Sequence, residues 1–302
     1  MNEVRLETSS RLEESLAPRV RSLARRAADA DGVEAISEAF RLALDSPRDD
    51  VTHVLARTDG PDPVGYAARD ATGSAELVVD PASRRAGVGR ALLNALLEGG
   101  ATGVWAHGDL PAARALVATE GLVATRELHV MSRALGDGDE AEPALPEGFR
   151  ARCFQIGRDE SAWLELNRVA FASHPEQGSI TLEDLEDRMA QEWFDPAGFF
   201  LVEDTTVTDD DGDHPLVAFH WTKREPGSST GEVYVVGVHP AYQGRGLAGP
   251  VTRLGTSYLA RQGADSVDLY VDGDNTRALA TYRRAGFEDE AIHVVYGRPP
   301  AP

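Results

Sequence analysis

The chain has 302 residues, enough for two domains of ordinary size, and 42% of them are hydrophobic, so each half can bury a core. The formal charge is −20 and uneven: residues 1–135 carry 16 basic against 20 acidic residues (net −4), and residues 136–302 carry 14 against 30 (net −16). Such a balance argues against nucleic acid and anionic membrane as partners.

Apolar periodicity predicts helices at 20–28 and 33–44, then strands at 52–57, 64–69 and 75–80. A helix at 90–98, a strand at 103–107, a helix at 112–119 and a strand at 124–132 close the first half. Residues 136–148 are acidic, rich in Gly and Pro and without apolar periodicity, which reads as a linker between domains 1–135 and 149–302. Cys153, the only cysteine, excludes an intrachain disulfide and reads as an ordinary buried thiol in a reducing cytoplasm. The second half repeats the first. Helices are expected at 159–171 and 181–191, strands at 199–203, 216–222 and 232–239, a helix at 249–262, a strand at 266–271, a helix at 275–285 and a strand at 291–297. The acidic run 209–215 between two strands reads as a solvated hairpin loop, since it lacks the spacing of a calcium loop. No apolar signal core or membrane-length run is present. The expected fold is α+β, with a mostly antiparallel sheet in each half: a tandem duplication.

The strongest feature is Val233-Tyr-Val-Val-Gly-Val-His-Pro-Ala-Tyr-Gln-Gly-Arg-Gly-Leu-Ala-Gly249, a strand running through a proline turn into a glycine-rich loop and a helix. It recurs 159 positions earlier, Pro81 matching Pro240 and Gly87 matching Gly246. A helix start presents unclaimed N–H groups and the positive end of its dipole. Glycines let the backbone approach a pyrophosphate closely, and Arg85 and Arg245 add charge. The loop lacks the Lys-Ser/Thr of a Walker loop, and it follows several strands where a Rossmann fingerprint follows the first.

This order of elements, with Gln243-x-x-Gly246-x-Ala248, resembles the GNAT acetyltransferase superfamily. The resemblance implies two tandem GNAT domains. It also implies that Val236, Gly237 and Val238 bind the pantetheine arm of acetyl-CoA, while Gln243, Gly244, Arg245, Gly246, Leu247, Ala248 and Gly249 cradle its phosphates. Asn275, Thr276, Arg277, Ala278, Leu279 and Ala280 contact CoA as well. In the first half the corresponding residues are Leu77, Val78, Val79, Arg85, Ala86, Gly87, Val88, Gly89 and Arg90. His220-Trp-Thr-Lys223, Gly231-Glu-Val-Tyr-Val-Val-Gly-Val238, Leu269-Tyr-Val271, Asp274-Asn275, Thr281-Tyr282 and His174-Pro-Glu-Gln-Gly178 resemble the actinobacterial mycothiol synthase family. So do Asp31-Gly-Val with Glu38 and Ala75-Glu-Leu-Val-Val79. That family acetylates the cysteinyl amine of cysteinyl-glucosaminyl-inositol (Cys-GlcN-Ins). Two departures stand out: Gly249-Pro250 falls where a helix should start, and Gly244 replaces an arginine often found there.

Acetyl transfer to an amine needs a base for the amine proton and an acid for the leaving thiolate. Glu232 opens the strand that would carry the thioester and is the candidate base; the plainer reading is a charged strand end. Tyr282 lies seven residues after Asn275, two helical turns on, and is the candidate acid; the plainer reading is a core tyrosine. Asn275 is expected to cap that helix. Glu176, Lys223 and Tyr270 are candidates for holding the substrate, since carboxylates suit an amine- and hydroxyl-rich sugar and Lys223, the only lysine, can donate to its hydroxyls; the plainer reading of each is a surface or core residue. Glu38 could reach the substrate from the first domain, and Glu232 would meet its amine. His174, His220 and His239 fit no zinc spacing, so no metal is expected. At the constant offset Glu232 aligns with Gly73, and the helix after Trp105 has no tyrosine, so the first half is expected to grip CoA without catalysis. A monomer acting on a small amine is expected. The alternatives are a tandem GNAT enzyme for an aminoglycoside or a protein N-terminus, and a non-enzymatic acyl-CoA-binding protein.

Overall fold

The computed structural model describes residues 4–44, 50–172, 175–208 and 212–299, with the side chains of Pro175 and Glu176 excepted. The acidic run 209–215 therefore lies partly outside the described residues, as does His174. The chain forms two compact units: residues 1–129 with 272–274 and 291–302, and residues 130–271 with 275–290.

In the first unit β1 (Arg5–Ser9) precedes α1 (Ala17–Asp31), α2 (Glu38–Ala43), β2 (Val51–Arg57), β3 (Gly65–Asp70) and β4 (Ser74–Val79). Then come α3 (Val88–Glu98), β5 (Gly103–Ala106), α4 (Pro111–Thr119) and β6 (Val123–Ala134). β1 was not expected from its sequence: every residue is exposed, so no apolar alternation marks it. The helix expected over 33–44 is only α2. Gly32 closes α1 in the left-handed region (φ 72°), and Ser37 is extended before α2 starts. Neighbours across the sheet run β1-β2-β3-β4-β5, antiparallel except for β4 with β5. Residues of α1 and α2 pack with Leu55, Tyr66 and Val78 on one face. Residues of α3 and α4 pack with Val54, Ala67 and Ala75 on the other.

The second unit contains β7 (Phe149–Cys153), α5 (Glu160–Ala170), α6 (Pro175–Gly178), α7 (Leu182–Met189), β8 (Phe199–Asp204), β9 (Leu216–Lys223) and β10 (Thr230–Val238). It continues with α8 (Ala248–Arg261), β11 (Ser266–Asp272) and α9 (Thr276–Arg284). Its strand order is β11-β10-β9-β8-β7. An aromatic core of Trp163, Phe199, Phe219 and Trp221 packs with α5 and α7 on one face. α8 and α9 cover the other, with Leu254, Leu259 and Leu279 inside. Cys153 ends the edge strand β7 and is exposed, not buried as its apolar character suggested.

The expected division at residues 1–135 and 149–302 is corrected in two places. The last strand, β12 (Glu288–Gly297), returns to the first unit from Ala291 onward, where Val294–Gly297 pair antiparallel with β5. Val130–Ala134 of β6 belong to the second unit, where the Ser132 hydroxyl donates to Asp268 at 2.6 Å. Each unit thus completes its sheet with chain from the other half, because a strand's place is set by its ladder partner. Residues 136–148 are not a free spacer either. They turn at Asp137–Asp139 and dock on α8, with Ser257 and Arg261 donating to the carbonyls of Ala141 and Glu140.

Candidate active site

β10 organises the site of the second unit. It pairs in parallel with β11 only from Thr230 to Val233, while its antiparallel ladder with β9 continues to Val238. Beyond Val233 the two parallel strands part, and the β11-facing backbone groups of the β10 segment are left outside that ladder. A bulge accompanies the parting: Val233 pairs with Thr222 and Val235 with Trp221, so Tyr234 is one residue too many. The bulge turns the strand over. Val233 packs with the α8–α9 side and Val235, two residues on, with the α5–α7 side.

The loop after β10 has the form of an anion cradle. His239 Nδ1 accepts the Ala241 N–H at 3.1 Å and fixes the proline turn. Gly244 and Gly246 both take φ 80°, a left-handed conformation that costs residues with a Cβ. Leu247 is fully buried and anchors the loop. No side chain caps α8, so the N–H groups of its first turn face outward. Pro250 is the third residue of α8, where an N–H has no intrahelical partner, so the proline breaks nothing. The Arg245 guanidinium lies 4.4 Å from the Tyr242 ring centre, beside the loop. Gln243, Gly244, Arg245 and Gly246 are exposed. These features fit a pyrophosphate.

Glu232 stands one residue before the strands part, directly opposite Asp268 on β11 and Lys223 on β9. Burial pushes the Asp268 carboxyl up, against the hydrogen bond from Ser132. Tyr270, two residues beyond Asp268, is 49% exposed. On the other side of the sheet the Asn275 side chain accepts the Ala278 N–H at 3.1 Å and caps α9. Tyr282 on α9 packs in one cluster with Val233 and Val236, and meets Phe287 edge-on at 5.8 Å. Burial raises its phenol to about 12, so it keeps its proton at neutral pH. Glu232 and Tyr282 therefore belong to opposite faces of the parted strand. Glu176 lies in α6. Glu38 is the first residue of α2, in the first unit. His220 is buried, its Nδ1 paired with the Val251 carbonyl at 2.9 Å and its pKa lowered to about 4 by burial, which makes it a neutral core residue.

The first unit keeps the form of the cradle but differs at the positions of Glu232 and Tyr282. Asp80 accepts the Ala82 N–H at 3.0 Å, Gly87 takes φ 87°, and α3 starts uncapped. Arg85, at the place of Gly244, is forced to φ 64°. Arg84 is committed to Asp31 through two 2.7 Å hydrogen bonds. β4 and β5 part after Ala75. β4 carries no bulge, so its offset from β10 is 159 after the parting and 158 before it. The residue matching Glu232 is therefore Ser74, not the expected Gly73. Ser74 accepts the Trp105 indole N–H at 3.1 Å. The nearby carboxylate is Glu76, which is buried, accepts the Ser37 N–H at 2.7 Å and lies 3.2 Å from His107. α4 contains no tyrosine. Sequence reasoning passed over Asp268, Trp193 and Tyr234. Only the register of β10 with its neighbours brings the first to Glu232, and only the tertiary fold brings the other two to Lys223.

A strand that parts from its parallel neighbour above a glycine cradle defines a GNAT acetyltransferase. Residues 162–287 match the acetyltransferase (GNAT) family. A tandem GNAT protein from the clavulanic acid biosynthesis pathway superposes with a TM-score of 0.72 at 16% identity, over 99% of both chains. The mycothiol acetyltransferase of Streptomyces coelicolor is 45% identical over 96% of this chain and 94% of its own. That of Kytococcus sedentarius is 48% identical over 92% of each. The chain belongs to the mycothiol acetyltransferase family. Among the described residues no helix is long and apolar enough to cross a membrane.

Proposed function

We propose that the second unit transfers an acetyl group from acetyl-CoA to the cysteinyl amine of Cys-GlcN-Ins, giving mycothiol. The observation that carries this reading is the parting of β10 and β11 immediately after Glu232 and Val233, with the cradle at the far end of the strand. The donor supplies a thioester carbonyl. Gln243 to Gly249 hold its pyrophosphate, and the backbone of Val236 to Val238 takes the pantetheine amides into the vacant ladder. Asn275 to Ala280 border the donor from α9.

Glu232 accepts the amine proton, directly or through one water; a cysteinyl amine titrates near 7–8, so a carboxylate suffices. Tyr282 donates its phenolic proton to the sulfur as the thiolate leaves. Glu176, Lys223 and Tyr270 hold the sugar and inositol hydroxyls. The first unit grips a second CoA through Leu77 to Val79 and Arg85 to Arg90 and performs no transfer.

The test is thiol release from acetyl-CoA with Cys-GlcN-Ins as acceptor. Wild-type turnover with this amine, lowered by roughly 10²-fold in Glu232→Ala, is the expected result. No turnover with this amine overturns the reading.

A further inference from the structure

Lys223 ends β9 with its side chain only 7% exposed, and a buried ammonium needs compensating partners. Its Nζ lies 5.0 Å from the centre of the Trp193 ring and 5.5 Å from that of Tyr234. Glu225 pairs with it at 3.2 Å, and strand register sets Glu232 opposite it. The two rings meet at 5.0 Å, and Tyr234 meets Trp221 at the same distance. Tyr234 is the bulge residue, so its ring and Glu232 share the α5–α7 face. Arg188 Nε donates to the Tyr234 hydroxyl at 2.8 Å, and its Nη1 donates to the Asp184 carbonyl at 2.8 Å. The ring that faces the lysine is thereby fixed from α7.

We propose that Trp193 and Tyr234, the latter locked by Arg188, are positioning residues that hold Lys223 as an ammonium ion beside Glu232 and so set the proton affinity of the base. Ring faces attract the cation where burial alone would drive its proton off. A fixed positive charge next to Glu232 keeps that carboxylate ionised and ready to accept. Asp268, on the opposite strand, pulls the other way. The charged groups near the pair include Glu225 after β9, Asp268 on β11 and Arg188 on α7. This inference rests on the reading of Glu232 as the base.

Lys223 is the only lysine, so 13C,15N-lysine labelling of the full chain gives one side-chain signal. Its titration reads the ammonium without any acceptor. In wild type the signal is expected to titrate at or above the ordinary value of about 10.4, and in Trp193→Leu at least about one unit lower, with Trp193→Phe restoring it. In turnover, Lys223→Met is expected to move the acid limb of kcat/KM upward by about half a unit to one unit, with the KM for acetyl-CoA unchanged. A neutral Lys223 at pH 7 in wild type overturns the proposal. So does a wild-type titration in a Trp193→Leu protein whose melting curve shows it folded, or an unmoved acid limb in Lys223→Met. Should Trp193→Leu not fold, Tyr234→Leu carries the same titration test. Wild type that shows the expected titration but no turnover with Cys-GlcN-Ins contradicts the functional reading instead.

Discussion

The two cradles were built by one pattern, and the strands that lead into them differ by one inserted residue. In the first unit the strand runs straight through the parting and leaves Ser74 at its mouth, bonded to Trp105. In the second, Tyr234 bulges out, and Glu232 stands at the mouth between Lys223 and Asp268. Anion binding needs only backbone: both loops keep two left-handed positions, Arg85 and Gly87 in one and Gly244 and Gly246 in the other, and both lead into an uncapped helix. Proton transfer needs side chains, and the carboxylate and tyrosine proposed for it lie in the second unit. On the proposed reading, a duplicated fold keeps its grip and loses its chemistry through positions that leave the core unchanged.

Tyr282→Phe removes the proposed donor to the leaving sulfur and is expected to lower kcat on the order of 10²-fold, with CoA affinity retained. An equal loss of kcat from any substitution on α4 would break the contrast between units. Gly246→Val imposes a side chain on a left-handed position and blocks the approach of phosphate. It should raise the KM for acetyl-CoA about tenfold or more, while Gly87→Val leaves turnover within about twofold and lowers the CoA bound per chain. Stoichiometry by calorimetry reads both.

Each unit also buries one imidazole whose pKa falls to about 4, His293 in the first and His220 in the second. The unfolded chain takes up protons that the fold refuses. Stability is therefore full above about 6.5 and declines as pH falls toward 4, seen as a melting temperature lower at pH 5 than at pH 7.5. The smallest effect is expected at the loop difference. Arg85→Gly relieves a left-handed arginine worth ~1 kcal/mol of strain, and Gly244→Arg adds it, so the melting temperature should shift by a few degrees in opposite directions.

The sequence pattern reveals the parts that are local. Pro240, Gly246 and the following helix spell out the cradle within a dozen residues, and Asn275 announces its own cap. What depends on a distant partner stays hidden. The β12 exchange is decided by β5, which lies far away in sequence. The one-residue shift that replaces Gly73 by Ser74 exists only where β10 is compared with β9. The Trp193–Tyr234 clamp brings together side chains from a loop and a strand that no periodicity connects. β1, exposed at every position, lacks the alternation that marks a half-buried strand.

The most direct test of the division of labour is thiol release by Glu232→Gln measured beside Glu76→Gln, the carboxylate in the parting of the first unit. The first is expected to lose roughly 10²-fold in kcat while still binding CoA, and the second, once shown to be folded, to keep turnover within about threefold. Full activity in Glu232→Gln together with loss in Glu76→Gln would place the chemistry in the wrong unit and contradict that division.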